Sequence, residues 1–314
     1  MGKRSWKADD FVFSLATLVG LVLGILWPQF GDWTEGRVVW LLIPLMVFSL
    51  VKIKNEEMKQ GRKRLGLFLT VLVFLYVVVP LVMWGLGLAA GLAPDFLFGL
   101  TLAALSPTIV LAPFFADMIG GNRMLAALIS VVSTLLSPLL IPAMLIALIG
   151  RTVNVPVGSI MLTAGLLVGL PVLIALPARR LWPRLKEGPY PYEKYVSAGI
   201  FLFFMWGVIG ASLGGLALLS PEIGLLLGLA LVQRWVFFFG LRWVTGRLAA
   251  RGLIVLEDAK ALSLCIGLKN GALTAGIALN IDSPMASTIA ISSGLYTLVS
   301  AILFIIFGIF RERM

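Results

Sequence analysis

Few residues of this chain are equipped for chemistry, and the most notable of them lie where charge is expensive. Lys269 stands in the string Cys265-Ile266-Gly267-Leu268-Lys269-Asn270-Gly271, within the apolar stretch 259–279. An ammonium at the centre of a bilayer helix costs about 2.5–3.5 kcal/mol on insertion scales, so its position needs a reason. Snorkelling to the headgroups is the plain alternative, but apolar residues continue for about two helical turns on either side. Two glycines and an amide flank the charge, a composition that breaks a helix near a binding site. Arg234, next to Gln233, lies deep in the apolar run 222–243. It reads either as an anion ligand or as a cation paired with Gln233 and backbone carbonyls in the core. Thr108 and Asn270 are the neutral hydrogen-bonding candidates. Cys265 precedes Lys269 by four residues, a spacing at which an ammonium can activate a thiol; packing is the plainer use of a lone cysteine.

What is missing narrows the chemistry further. The chain has no histidine and one cysteine. An intrachain disulfide is therefore excluded, and with it goes the commonest metal ligand and general base. No Ser-Lys dyad stands in a plausible motif and no aspartates are paired, so an intramembrane enzyme is not expected. No catalytic residue, metal site or cofactor is assigned.

The elements that must hold these residues are membrane helices. Of 314 residues, 60% are hydrophobic and 13% charged, with a mean hydropathy of +1.04. Soluble domains do not have this composition. Apolar runs mark ten spans, near 11–28, 38–53, 65–92, 95–119, 122–149, 156–178, 195–219, 222–243, 255–280 and 284–310. The second is short beside the ~20 residues that a crossing needs. A net charge of +10 would suggest nucleic acid for a soluble protein, but here it carries topology. With both termini cytoplasmic, all but four of the 25 lysines and arginines fall on the inner side. Arg37 and Arg151 lie outside, while Arg234 and Lys269 lie within spans. That asymmetry follows the positive-inside rule. The segment from Phe11 lacks a small-residue cleavage site and reads as the first membrane helix, not a removed signal peptide. The expected location is the inner (plasma) membrane of a bacterium, with the lipid bilayer as partner and no nucleic acid.

Ten helices divide into two sets of five, and an odd number inverts the second set. Repeat one is expected over 11–149 and repeat two over 156–310, within a single unit of residues 1–314. Span four contains Ser106-Pro107-Thr108-Ile109-Val110-Leu111-Ala112-Pro113, whose prolines Pro107 and Pro113 break a helix in mid-membrane. Span nine, its counterpart, contains the Gly267–Gly271 break. Paired interruptions at matching positions point to a transporter's binding site.

Several strings carry a family resemblance. Gly121-Asn122, then Val132-Ser133-Thr134-Leu135-Leu136-Ser137-Pro138-Leu139-Leu140 and Pro142-Ala143, resembles the fifth helix of the bile acid:sodium symporter family. Pro80 and Pro107 have the spacing of that family's third- and fourth-helix prolines. Gly267-Leu268-Lys269-Asn270-Gly271 is similar to its ninth-helix motif. The resemblance implies a panel domain (helices 1, 2, 6 and 7) and a core domain (helices 3–5 and 8–10), with helices 4 and 9 crossing at unwound centres. It also implies two sodium ions behind the crossover and an organic anion between the domains.

Carried over residue by residue, the implied sodium ligands are replaced. The third-helix glutamine position is Leu75, and the fourth-helix Ser-Asn pair falls on Ala112 and Pro113. The helix-five hydroxyls fall on Ala126 and Ser130. The ninth-helix glutamate is Cys265, and its glutamine is Lys269. Only Ser130 keeps an oxygen-bearing side chain among these. Sodium is a hard cation that wants several oxygens. At about 4 Å and an effective dielectric of about 20, a fixed ammonium would also repel it by about 4 kcal/mol.

The expected function is alternating-access, secondary-active transport of a small or amphipathic organic anion, independent of sodium. Lys269 would substitute for the coupling cation, with Cys265 and Ser130 beside it; an amine able to give up and regain a proton would open proton coupling. Substrate contacts are expected from Pro107, Thr108, Pro113, Lys269, Asn270 and Arg234. Half-helix N-termini near 112–114 and 270–272 would add their dipoles. The cluster Trp235-Val236-Phe237-Phe238-Phe239 reads as lipid-facing packing. The alternatives are a sodium symporter with rearranged ion sites, and a non-transporting receptor or scaffold that keeps the fold. No signalling domain is expected from the closing Arg311-Glu312-Arg313-Met314.

Overall fold

Long apolar sequences fold into helices because the bilayer offers no partner for backbone N–H and C=O groups. The computed structural model describes residues 12–34, 37–51, 65–150, 155–182, 192–213, 220–281 and 285–310. The loop charges of 52–64 and 183–191 and both terminal segments lie outside the described residues. Among the described residues all regular structure is helical; one isolated antiparallel bridge joins Thr108 to Lys269.

The elements, numbered along the chain, are α1 (Val12–Leu26), α2 (Gln29–Thr34), α3 (Val38–Val51), α4 (Leu65–Val73), α5 (Val79–Ala89), α6 (Pro94–Ala104), α7 (Ala112–Met118) and α8 (Arg123–Ile149). They continue as α9 (Val157–Leu181), α10 (Glu193–Leu213), α11 (Pro221–Arg234), α12 (Leu241–Ala250), α13 (Leu256–Gly267), α14 (Gly271–Ala278) and α15 (Ala286–Phe310). A π-helical turn, Phe74–Val78, joins α4 to α5, and another, Trp235–Gly240, joins α11 to α12.

Among the described residues, four helices are long and apolar enough to cross a membrane: Gly66–Ala89, Arg123–Ile149, Val157–Leu181 and Pro221–Ala250. At about 1.5 Å per residue each exceeds a hydrocarbon core of ~30 Å. Their outward faces suit a lipid surround. Leu139, Leu162 and Leu173 are 62%, 65% and 68% exposed, a surface that water would drive to aggregate. Shorter apolar helices are Ser14–Leu26, Pro94–Ala104, Tyr195–Ala211 and Ala286–Ser300. The doubtful second span is helical over Val38–Val51 with Pro44 inside it.

Two packing groups surround the site. In one, α1 and α2 pack on α10, and α3 packs on α9 and α10. In the other, α6 packs between α5 and α15, α7 on α8, α12 on α13, and α14 on α15. The close approach of α1 to α10 depends on small residues four apart, Gly20 and Gly24. A Cβ on Gly20 would lie 2.5 Å from the Leu202 carbonyl oxygen, and one on Gly24 would lie 2.7 Å from the Ile209 Cβ. Gly20→Val is therefore expected to lower stability by about 1–3 kcal/mol, read as a lower melting temperature in detergent. Gly85→Val, where a side chain meets open space, leaves it unchanged.

The candidate transport site at a helix crossover

Each helix break arises from its own sequence. Pro107 has no N–H, so the Ala103 carbonyl loses its helical partner and takes the Ser106 hydroxyl instead, at 2.7 Å. The residue before a proline is also pushed away from helical angles, and α6 ends at Ala104. The chain re-enters a helix at Ala112, with Pro113 in the first turn, where no N–H is needed. In the other half α13 ends at Gly267. A Cβ on Gly267 would lie 3.0 Å from the Phe238 backbone nitrogen, so only glycine permits that approach. Asn270 then caps α14, its side-chain oxygen accepting the Leu273 N–H at 3.3 Å.

The two unwound segments satisfy each other. Ile109 N–H donates to the Leu268 carbonyl at 3.0 Å, and Asn270 N–H donates to the Pro107 carbonyl at 2.8 Å. The Cys265 carbonyl, which the Lys269 N–H would take in an unbroken helix, accepts the Thr108 hydroxyl at 2.8 Å. Helix α8 clamps the same place. Ser133 Oγ accepts Thr108 N–H at 3.3 Å, and Ser130 Oγ donates to the Ile109 carbonyl at 3.2 Å.

Lys269 is buried and donates from Nζ to the Leu75 carbonyl at 3.1 Å. That carbonyl is free for a definite reason. In an α-helix it would take Val79 N–H, but the π turn gives that N–H to the Phe74 carbonyl. In the π register its partner would be residue 80, which is Pro80 and has no N–H. The Tyr76 hydroxyl, from the same π turn, donates to the Ser133 carbonyl. Thus the third span, both broken helices and α8 meet at one point.

The expected residues therefore divide. Pro107, Thr108, Ser130, Cys265, Lys269 and Asn270 converge at the crossover, and Pro113 opens the half-helix beside it. Cys265 is a buried free thiol whose carbonyl, rather than its sulfur, makes the described hydrogen bond. Arg234 lies on the neighbouring α11. Its guanidinium donates to the Gln233 side-chain oxygen, to the Tyr296 carbonyl at 2.9 Å and to Ser300 Oγ at 2.9 Å. It also sits 4.7 Å above the Tyr296 ring. In this conformation Arg234 is a core residue, the second of the two roles considered for it. The aromatic run after it is also divided: Trp235 and Val236 are exposed, whereas Phe237 and Phe238 face inward, which corrects the lipid-facing reading. Sequence reasoning missed Tyr76, Ser133 and the Leu75 carbonyl. Pro80, five residues beyond Leu75, was the available signal.

Apolar helices interrupted at depth, with the freed backbone groups paired across two crossing segments, define an integral membrane protein of transporter type. Residues 39–229 match the sodium bile acid symporter family, and the chain belongs to it. It is 30% identical over 165 residues to the uncharacterized protein YbaS of Bacillus subtilis (strain 168). That match covers 52% of this chain and 52% of the relative, so it spans about half of YbaS. Over 278 residues it is 22% identical to the uncharacterized sodium-dependent transporter YocS of the same organism, covering 88% of this chain and 84% of YocS.

If Lys269 serves a carbonyl left over by Pro80, the two positions are coupled. Lys269→Met should cost less stability in a Pro80→Ala background than in the parent, by about 0.5–3 kcal/mol, measured by unfolding in detergent. Strictly additive effects would show that the Leu75 carbonyl does not depend on Lys269.

Proposed function

We propose that the protein is a secondary-active transporter of a small or amphipathic organic anion that works without sodium, its crossover held by Lys269 in place of a bound cation. The observation that carries this reading is the Lys269 Nζ to Leu75 carbonyl bond of 3.1 Å. An ammonium there uses an oxygen that a cation behind the crossover would need, and it repels any cation nearby. The residues present fit sodium poorly. Leu75, Ala112, Pro113, Ala126 and Cys265 offer no hard side-chain oxygen, and Ser130, whose hydroxyl donates to the Ile109 carbonyl, offers one. Among the described residues no cluster of acidic, His or Cys side chains could hold a metal ion.

In this reading ten helices form two inverted repeats, 11–149 and 156–310. Mirrored features support it. The breaks at 105–111 and 268–270 correspond, and π turns occur in both the third and eighth spans. The packing of α1 on α10 is mirrored by α9 on α3, that of α7 on α8 by α14 on α15, and that of α5 on α6 by α12 on α13. The group formed by helices 1, 2, 6 and 7 would be the panel that moves against the core. Both termini would face the cytoplasm of a bacterial inner membrane. Asn270 and the N-terminal end of α14 would meet the anionic group of the substrate, and Lys269 would carry the proton if protons are the coupling ion. The transporter family speaks against an enzymatic role.

A sodium-coupled reading is favoured by one finding, the sodium-dependent description carried by the relative YocS. Uptake of a labelled bile acid and of small carboxylates into proteoliposomes separates the two. The expected result is equal saturable uptake in sodium and potassium media, lost in Lys269→Gln with no sodium dependence gained. Strict dependence on sodium would overturn the proposal.

A further inference from the structure

Arg234 and Lys269 are 0% and 1% exposed and lie in the same core. The elements around them bring no carboxylate to this depth. Acids on α11, α13, α14 and α15 are confined to Glu222, Glu257 and Asp258, all in the first turns of their helices. Asp258 accepts from the Asn122 amide at 2.7 Å, at the far end of α13. Helices α4, α5 and α8 have no acidic residue, and those of α6 and α7 are Asp95 and Asp117, at helix ends. A buried guanidinium without a counter-charge is rare, because buried charge persists when it is paired.

Hydrogen bonding is unbalanced in the same direction. Gln233 Nε2, Arg234 Nε and the Tyr296 hydroxyl are buried without a hydrogen-bond partner among the described residues, as are Ser292 Oγ and Ser293 Oγ. Gln233, Arg234 and Tyr296 form one cluster, since the guanidinium bonds the Gln233 oxygen and lies over the Tyr296 ring. Ser292 stands one turn before Tyr296 on the same face of α15. The Gln233 oxygen, the Tyr296 carbonyl and Ser300 Oγ all receive from Arg234. What is left over is the Gln233 and Arg234 N–H donors, hydroxyls that can turn either way, and an uncompensated positive charge. Such a set calls for an acceptor that carries negative charge.

We propose that the core contains a buried site for a small monovalent inorganic anion of the halide type, held by Gln233, Arg234 and Tyr296, whose charge offsets Arg234. Water would satisfy the donors but not the charge. Complete burial of Arg234 closes the site to an organic anion, so the halide is a resident ion distinct from the transported substrate. The site stands on the charge and donor inventory alone and survives if the transported substrate proves different.

Thermal unfolding of the purified full chain in detergent tests this without any transport assay. Chloride or bromide is titrated against gluconate at equal ionic strength. The melting temperature should rise with halide concentration, as it does for any ligand that binds the folded state alone. Tyr296→Phe removes a hydroxyl that no group among the described residues bonds. It should leave the melting temperature in gluconate unchanged while shifting the halide response to higher concentration. A melting temperature indifferent to halide overturns the proposal. So does an identical halide response in Tyr296→Phe, which would assign the unpartnered donors to water and the halide effect to bulk salt.

Discussion

The bond from Lys269 to the Leu75 carbonyl is the contact on which the rest of the core depends. A helix interrupted within a bilayer leaves N–H and C=O groups that lipid cannot serve. This chain has three such interruptions close together: the π turn before Pro80, the Pro107 break and the Gly267–Gly271 break. Each supplies what another lacks. Thr108 serves the Cys265 carbonyl, Asn270 serves Pro107, Ile109 serves Leu268, and Lys269 serves Leu75. Lys269 sits in the bridged segment and is also the donor to the third span. One residue therefore ties three spans together.

In the proposed reading, Lys269 takes the place of an ion site. A cation behind a crossover is held by oxygens, and here the carbonyl freed at Leu75 is taken by Lys269 Nζ. An ammonium has three donors, needs no coordination shell and is covalently fixed. On that reading it would hold the crossover throughout a transport cycle, whereas a bound ion comes and goes. The cost is a buried amine in a core whose acids lie at helix ends. Arg234 lowers its own cost by stacking on Tyr296 and bonding Gln233, Ser300 and a carbonyl.

Much of this was legible in the sequence because breaks and charges are local signals. Pro107, Pro113, Gly267 and Gly271 mark the unwound segments by residue type, and Lys269 is conspicuous in an apolar run. The pairing of Arg234 with Gln233 was also visible, being a contact between neighbours. What escaped notice depends on distance or on register. The partner of Lys269 lies 194 residues away and is a backbone carbonyl, freed only because a π turn and a proline coincide. The roles of Tyr296 and Ser300 depend on α15 facing α11, whose contact with it no local pattern announces. The aromatic run from Trp235 was misjudged for a related reason. It forms a π turn, so the division between outward Trp235 and Val236 and inward Phe237 and Phe238 follows that turn. The serines before Pro107 and Pro138 are a case that could have been read. Each hydroxyl takes the carbonyl that its proline leaves, Ser106 on Ala103 and Ser137 on Thr134, both at 2.7 Å.

Equilibrium binding of radioactive sodium to the purified protein tests the central claim most directly, because it asks whether the space behind the crossover accepts a cation at all. With Lys269 in place the account predicts no saturable sodium binding, with or without organic anion present. Saturable sodium binding to the parent protein would contradict it.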